Sequence, residues 1–108
     1  MSKKTLGYVA GVGTYSNARA IEEAEAIAAV LRPWYASGKL AGFRACAVLD
    51  EDSYDEVALD PEVVAHKVQG KFPFVCVTIT FDAASLPAGA AAPDGWDAIV
   101  KARALESL

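Results

Sequence analysis

The chain reads as an α/β protein, with α+β as the alternative. The expected form is a two-layer sandwich with one three-stranded mixed sheet, in the order β-α-β-(short α)-β-α. Three observations lead there. The run Phe72–Phe81 (FPFVCVTITF) is rich in β-branched and aromatic residues, as buried strands are. A segment with apolar residues at helical spacing lies between two other β-prone runs. A strand, helix and strand in succession normally form a parallel, right-handed crossover.

Each element has a local reason. In the first strand, Thr5–Val12, Leu6, Tyr8, Ala10 and Val12 alternate with Gly7, Val9, Gly11 and Gly13. A face carrying three glycines predicts close approach of a packed helix, or of a ligand. Thr14, Ser16 and Asn17 offer N-caps for a helix starting near Ala18. Its stripe is Ile21, Ala24, Ile27, Ala28, Leu31 and Tyr35, with Glu22 and Glu25 away from it. Pro33 cannot donate to the Ala29 carbonyl, so the helix is expected to stop or kink at Arg32, and Gly38 closes the segment. The second strand, Leu40–Leu49, alternates Phe43, Ala45, Ala47 and Leu49 with Arg44, Cys46 and Val48. Asp60-Pro61-Glu62 starts a short helix to Gln69, because Asp caps and Pro fits the first helical position.

Phe72–Phe81 is apolar on both faces, which places it at the centre of the sheet, with regular pairing starting after Pro73. Ala83–Pro93 is an Ala/Pro/Gly surface excursion. Asp94 then caps a final helix whose apolar residues point two ways: Trp96, Ile99 and Val100 on one side, Ala98, Ala102 and Leu105 on the other. Such a helix, together with two open sheet edges, predicts a homodimer.

The chain has 108 residues, of which 54% are hydrophobic, and this is the size and composition of one globular domain spanning 1–108. A net charge of −4 and scattered Lys and Arg argue against direct nucleic-acid binding. No run approaches a membrane span, and the N-terminus lacks a signal-peptide pattern, so a cytoplasmic location is expected. Cys46 and Cys76 lie in strands between apolar neighbours and read as buried thiols; a disulfide requires those strands to be adjacent.

The strongest anomaly is charge. Asp50, Glu51, Asp52, Asp55, Glu56, Asp60 and Glu62 are seven of the fourteen acidic residues, and no Lys or Arg interrupts them. Charges held this close repel, so the segment belongs in water or against a positive partner. It is no helix-loop-helix calcium site: Tyr54 stands at the third ligand position, Asp55 where glycine is required and Pro61 where the closing glutamate belongs. Cys46, Cys76 and His66 lack the paired spacing of a zinc motif, and no metal or cofactor is expected. His66, the only histidine, reads as a structural residue near a helix C-terminus.

Two functions follow. The first is a small acidic, non-enzymatic interaction protein. It would present Asp50, Glu51, Asp52, Tyr54, Asp55, Glu56, Asp60 and Glu62 to a basic protein surface, as an inhibitor or decoy of a nucleic-acid-binding protein. The alternative is a small-ligand-binding protein or enzyme, in an oligomer, built on the strand-to-helix loop. Gly11, Gly13, Thr14, Ser16 and Asn17 would bind the ligand, since free N–H groups at a helix start attract anions. That loop is neither a Walker loop nor a complete dinucleotide fingerprint, because Ser16 holds the third glycine position.

Overall fold

The computed structural model describes residues 3–50 and 68–103 with their side chains, and 106–107 as backbone. Four strands, two helices and one 3₁₀ turn are formed by these residues. They are β1 (Lys3–Ala10), α1 (Asn17–Ala36), β2 (Gly42–Val48), β3 (Phe74–Asp82), the turn Ala83–Ser85, α2 (Trp96–Arg103) and the two-residue β4 (Glu106–Ser107).

Helices packed on one sheet are observed as expected, but the sheet has four strands instead of three and is wholly antiparallel instead of mixed, so the class is α+β, the expected alternative. The sheet order is β2-β3-β1-β4, and every neighbouring pair is antiparallel. β1 and β2 do run in the same direction, as a crossover through α1 requires. However, β3 lies between them and pairs with both. This is a split β-α-β arrangement. The reason lies in β3 itself: Phe74 through Ile79 are buried in succession, and a strand apolar on both faces is most stable with a neighbour on each edge.

Alternation along the strands sorts the core into two clusters. On the helix side Tyr8, Ala10, Val75, Val77, Ile79 and Phe81 meet Ala20, Ala24, Ile27 and Leu31 of α1 and Trp96 of α2. On the other side Val9, Val48, Val68, Phe74 and Cys76 pack together, with Val12 and Phe72 against them. The glycine side of β1 therefore faces away from α1 and α2, and Val9 on that side meets Val68 instead. Gly11 and Gly13 follow the strand instead of lying in it, because β1 ends at Ala10. Both have positive φ, +70° and +68°. At Gly11 space is also short: a Cβ there would lie 2.2 Å from the Tyr15 ring.

The buried stripe of α1 is rotated from the expected one. Ala20, Glu23, Ala24, Ile27 and Leu31 face the sheet, whereas Ile21 and Tyr35 are 43% and 53% exposed. Two alanines on the inner face let the helix approach the strands closely, and this favours that face over the bulkier one. Ser16 is the N-cap, its side chain accepting from the Arg19 N–H. The helix does not stop at Arg32. It runs through Pro33 for another turn and closes with the Ser37 N–H donating to the Pro33 carbonyl and Gly38 to Tyr35. Losing one donor at Pro33 costs little here, because the final turn has its own closing bonds.

The excursion after β3 begins as a short 3₁₀ turn capped by Asp82, whose carboxylate accepts the Ala84 N–H. α2 then packs one-sidedly: Trp96 is buried, Ile99 and Val100 are half-buried, and Ala98 and Ala102 are exposed. Of the two expected apolar sides, the one carrying Trp96 is the one that packs, the other is exposed at Ala98 and Ala102, and Leu105 lies outside the described residues. The Trp96 ring lies 5.6 Å from that of Tyr8, and Gly95 sits so close to Trp34 that a Cβ would come within 3.1 Å of it. Lys39 covers the Trp34 ring at 3.8 Å and donates to the Asp94 carbonyl, which ties the start of α2 to the end of α1.

Two consequences can be measured. Amide exchange should be slowest over Val75–Ile79, because these residues are paired on both edges and buried on both faces; exchange there as fast as in β2 would contradict the central position. Gly11→Ala should lower stability by about 1–3 kcal/mol, through positive φ and collision with Tyr15. Chemical denaturation reads that loss directly.

Candidate functional site: a charged cluster between the helices

A group of interacting ionisable side chains that the sequence reading did not foresee lies between α1 and α2. Glu23 is 5% exposed although it is a carboxylate on the inner half of α1. Arg103, the last residue of α2, donates from Nη1 to Glu23 Oε1. Arg19, one turn earlier on α1, places Nη2 3.6 Å from Glu23 Oε2. The Arg19 guanidinium also lies over the Tyr15 ring, 5.1 Å from its centroid, and Tyr15 in turn covers Gly11. Tyr15, Arg19, Glu23, Ala102 and Arg103 line a cleft of about 260 Å³.

The charges explain why Glu23 tolerates burial. A carboxylate removed from water is costly unless it is paired and hydrogen-bonded. Glu23 has a guanidinium on each oxygen, one of them from another helix, so the cluster joins α1 to α2. Beneath it the Tyr8 hydroxyl is buried and has no hydrogen-bond partner among the described residues. Burial pushes the Tyr8 phenol up, Arg103 pulls it partly back, and Glu23 raises it further. Chemically the cluster is a neutralised carboxylate beside a protonated phenol, an arrangement suited to holding two helices together.

In the strand-to-helix loop three backbone N–H groups are engaged within the chain. The Gly13 N–H donates to the Pro73 carbonyl, and the Thr14 and Tyr15 N–H groups both donate to the Gly11 carbonyl. The Ser16 hydroxyl is engaged in capping. Thr14 and Asn17 are exposed. Three donors that could have faced a ligand are thus used to form the turn and to tie it to the start of β3.

Of the acidic residues singled out in the sequence, Asp50 is exposed immediately beyond β2. Glu51, Asp52, Tyr54, Asp55, Glu56, Asp60 and Glu62 lie outside the described residues, as do His66 and most of the segment expected to form a short helix to Gln69. What is described is the frame of that connection. Val48 leaves from one end of the far-side cluster, and Val68 and Phe74 return to it.

The two cysteines are brought face to face. Cys46 and Cys76 are direct register partners in the β2–β3 ladder, and both are buried. Burial, and secondarily the neighbouring Cys46, pushes the Cys76 thiol up to about 12. Among the described residues no group of three or more His, Cys, Asp or Glu gathers as a metal-ligand set, and no helix is long and apolar enough to cross a membrane. No protein-family model matches the chain, and neither a curated protein nor a solved structure is significantly similar to it.

Glu23 was missed because acidic residues on an amphipathic helix are normally assigned to the wet side. Its position held a signal: residues 20, 23 and 27 share one face at helical spacing. The Arg103 partner is 80 residues away and leaves no local trace.

The raised thiol and phenol make an alkaline prediction. Between the ordinary Cys value of 9.0 and about 12, the unfolded chain loses the Cys76 proton while the folded protein keeps it. The stabilisation is therefore complete below pH 9 and is lost as pH rises toward 12, with Tyr8 adding to the loss above its ordinary value of 10.0. Denaturation midpoints should fall across that window, and Cys76→Ala should flatten the fall. Tyr8→Phe should leave the neutral-pH midpoint unchanged or raise it, since an orphaned buried hydroxyl costs about 1–3 kcal/mol.

Proposed function

We propose that this chain is a small acidic, non-enzymatic interaction protein that applies the connection between β2 and β3 to an electropositive protein surface. One observation carries the reading: half of the chain's acidic residues, seven of fourteen, fall between Asp50 and Glu62 without an intervening Lys or Arg. The described structure supports it by anchoring both ends of that connection in a buried cluster, at Val48 on one side and Val68 and Phe74 on the other. A charged segment held at both ends loses less entropy on binding than a free tail of the same composition.

The partner is a protein with a basic surface, and a nucleic-acid-binding protein is the class that fits best. Occupying its phosphate-binding face would make this chain an inhibitor or decoy. Binding follows from complementary charge, which accelerates encounter and fixes register more than it adds raw affinity.

Replacing Asp50, Asp52, Asp55 and Glu56 with Asn or Gln tests this. Thermal stability should stay nearly constant or rise, since like-charge repulsion is relieved. Association with a basic protein captured from lysate should slow by one order of magnitude or more, and the wild-type rate should fall steeply with added salt. Equal rates and equal salt dependence for both forms would reduce the run to a solvated loop.

A further inference from the structure

We infer that Cys46 and Cys76 form a cross-strand dithiol that closes to an intramolecular disulfide without rearrangement of the sheet, when the protein meets a small disulfide oxidant such as oxidised glutathione.

The geometry comes from register. Cys46 lies directly opposite Cys76 in the antiparallel β2–β3 pair. Directly opposed residues in such a pair have Cα atoms about 4.5–5.5 Å apart, with both side chains on the same face. A disulfide requires about 4.4–6.8 Å between Cα atoms, so the strands already stand at bridging distance. The position is held from both sides, since Ala45↔Val77 and Ala47↔Val75 flank it in the same ladder and Val9 pairs with Cys76 from β1.

The two thiols differ in access. Cys76 is 1% exposed in the central strand, whereas Cys46 is 8% exposed on β2, which is at the edge of the sheet. An edge strand opens locally at less cost than a central one, so Cys46 reacts first. Its thiolate attacks one sulfur of oxidised glutathione and expels glutathione thiolate, leaving a mixed disulfide. The Cys76 sulfur, giving up its proton in the step, then attacks the Cys46 sulfur and expels the second glutathione. One disulfide bond is broken and one is formed. The two protein thiol protons end on the two glutathiones, which carry away both electrons.

The bridge closes a ring that contains the whole Asp50–Glu62 run. It would pin β2 to β3 at the base of that connection and restrict the unfolded chain. The dithiol is independent of which partner, if any, the acidic residues bind.

The test uses the folded wild-type protein equilibrated in glutathione buffers of increasing oxidised fraction. Expected are loss of both titratable thiols, an intact mass lower by two hydrogen atoms and a monomeric product. A peptide map should link Cys46 to Cys76, circular dichroism should be unchanged and the melting temperature should rise. Cys46→Ser should give no such product and should retain the Cys76 thiol; should that variant fail to fold, the peptide map of the wild type still decides. Survival of both thiols in buffers that fully oxidise a reference dithiol would overturn the inference. So would a stable glutathione adduct, a disulfide-linked dimer, or an oxidised form that has lost its sheet signal.

Discussion

β3 is the constraint on which the other elements depend. It is hydrogen-bonded along both edges, to β1 and to β2, and six consecutive residues from Phe74 to Ile79 are buried. A slip of one residue would exchange Val75, Val77 and Ile79 with Phe74, Cys76 and Thr78. It would place the wrong set against α1. Register is therefore determined on both sides at once. The turn after β1 is tied to the same strand, through the Gly13 N–H on the Pro73 carbonyl. The face-to-face position of the two cysteines is a direct product of this register, in which Cys46 is the partner of Cys76.

The helices are held by a second set of interactions, at the two ends of α1. At its end near Ala36, Lys39 and Trp34 grip the start of α2 at Asp94 and Gly95. Near its start, Glu23 meets Arg103 from the end of α2. Between them Trp96 lies against Tyr8. The charged cluster thus completes a docking that aromatic burial begins, and a buried carboxylate restricts which helix orientations are tolerated. A hydrophobic residue at position 23 would pack without specifying a partner. The arginines make the contact directional.

Much of this was legible locally. The three long strands, the first helix, a cap among Thr14, Ser16 and Asn17 and the central role of the Phe72–Phe81 run follow from alternation, spacing and capping chemistry, all of which act within a few residues. Errors arose where two local signals were nearly equal. Ile21 and Tyr35 suit the buried side of α1 as well as Ala20 does, until the sheet demands the closer-fitting face. Pro33 is a strong stop signal, yet the final turn supplies its own hydrogen bonds. The glycines after β1 were read as room for a neighbour; at Gly11 the decisive terms are the sign of φ and the Tyr15 ring.

By itself the sequence determined the element types, the apolar character of the central strand and the concentration of acid between Asp50 and Glu62, because composition and short-range periodicity depend only on the chain's own order. Tertiary structure alone decided that β3 separates β1 from β2, that Glu23 meets Arg103 and that Cys46 faces Cys76. Each of these joins residues from different elements, 80 positions apart in the case of the ion pair. No local propensity encodes such a distance; it is selected only when the faces of the sheet and helices are buried together, which is a property of the assembled core.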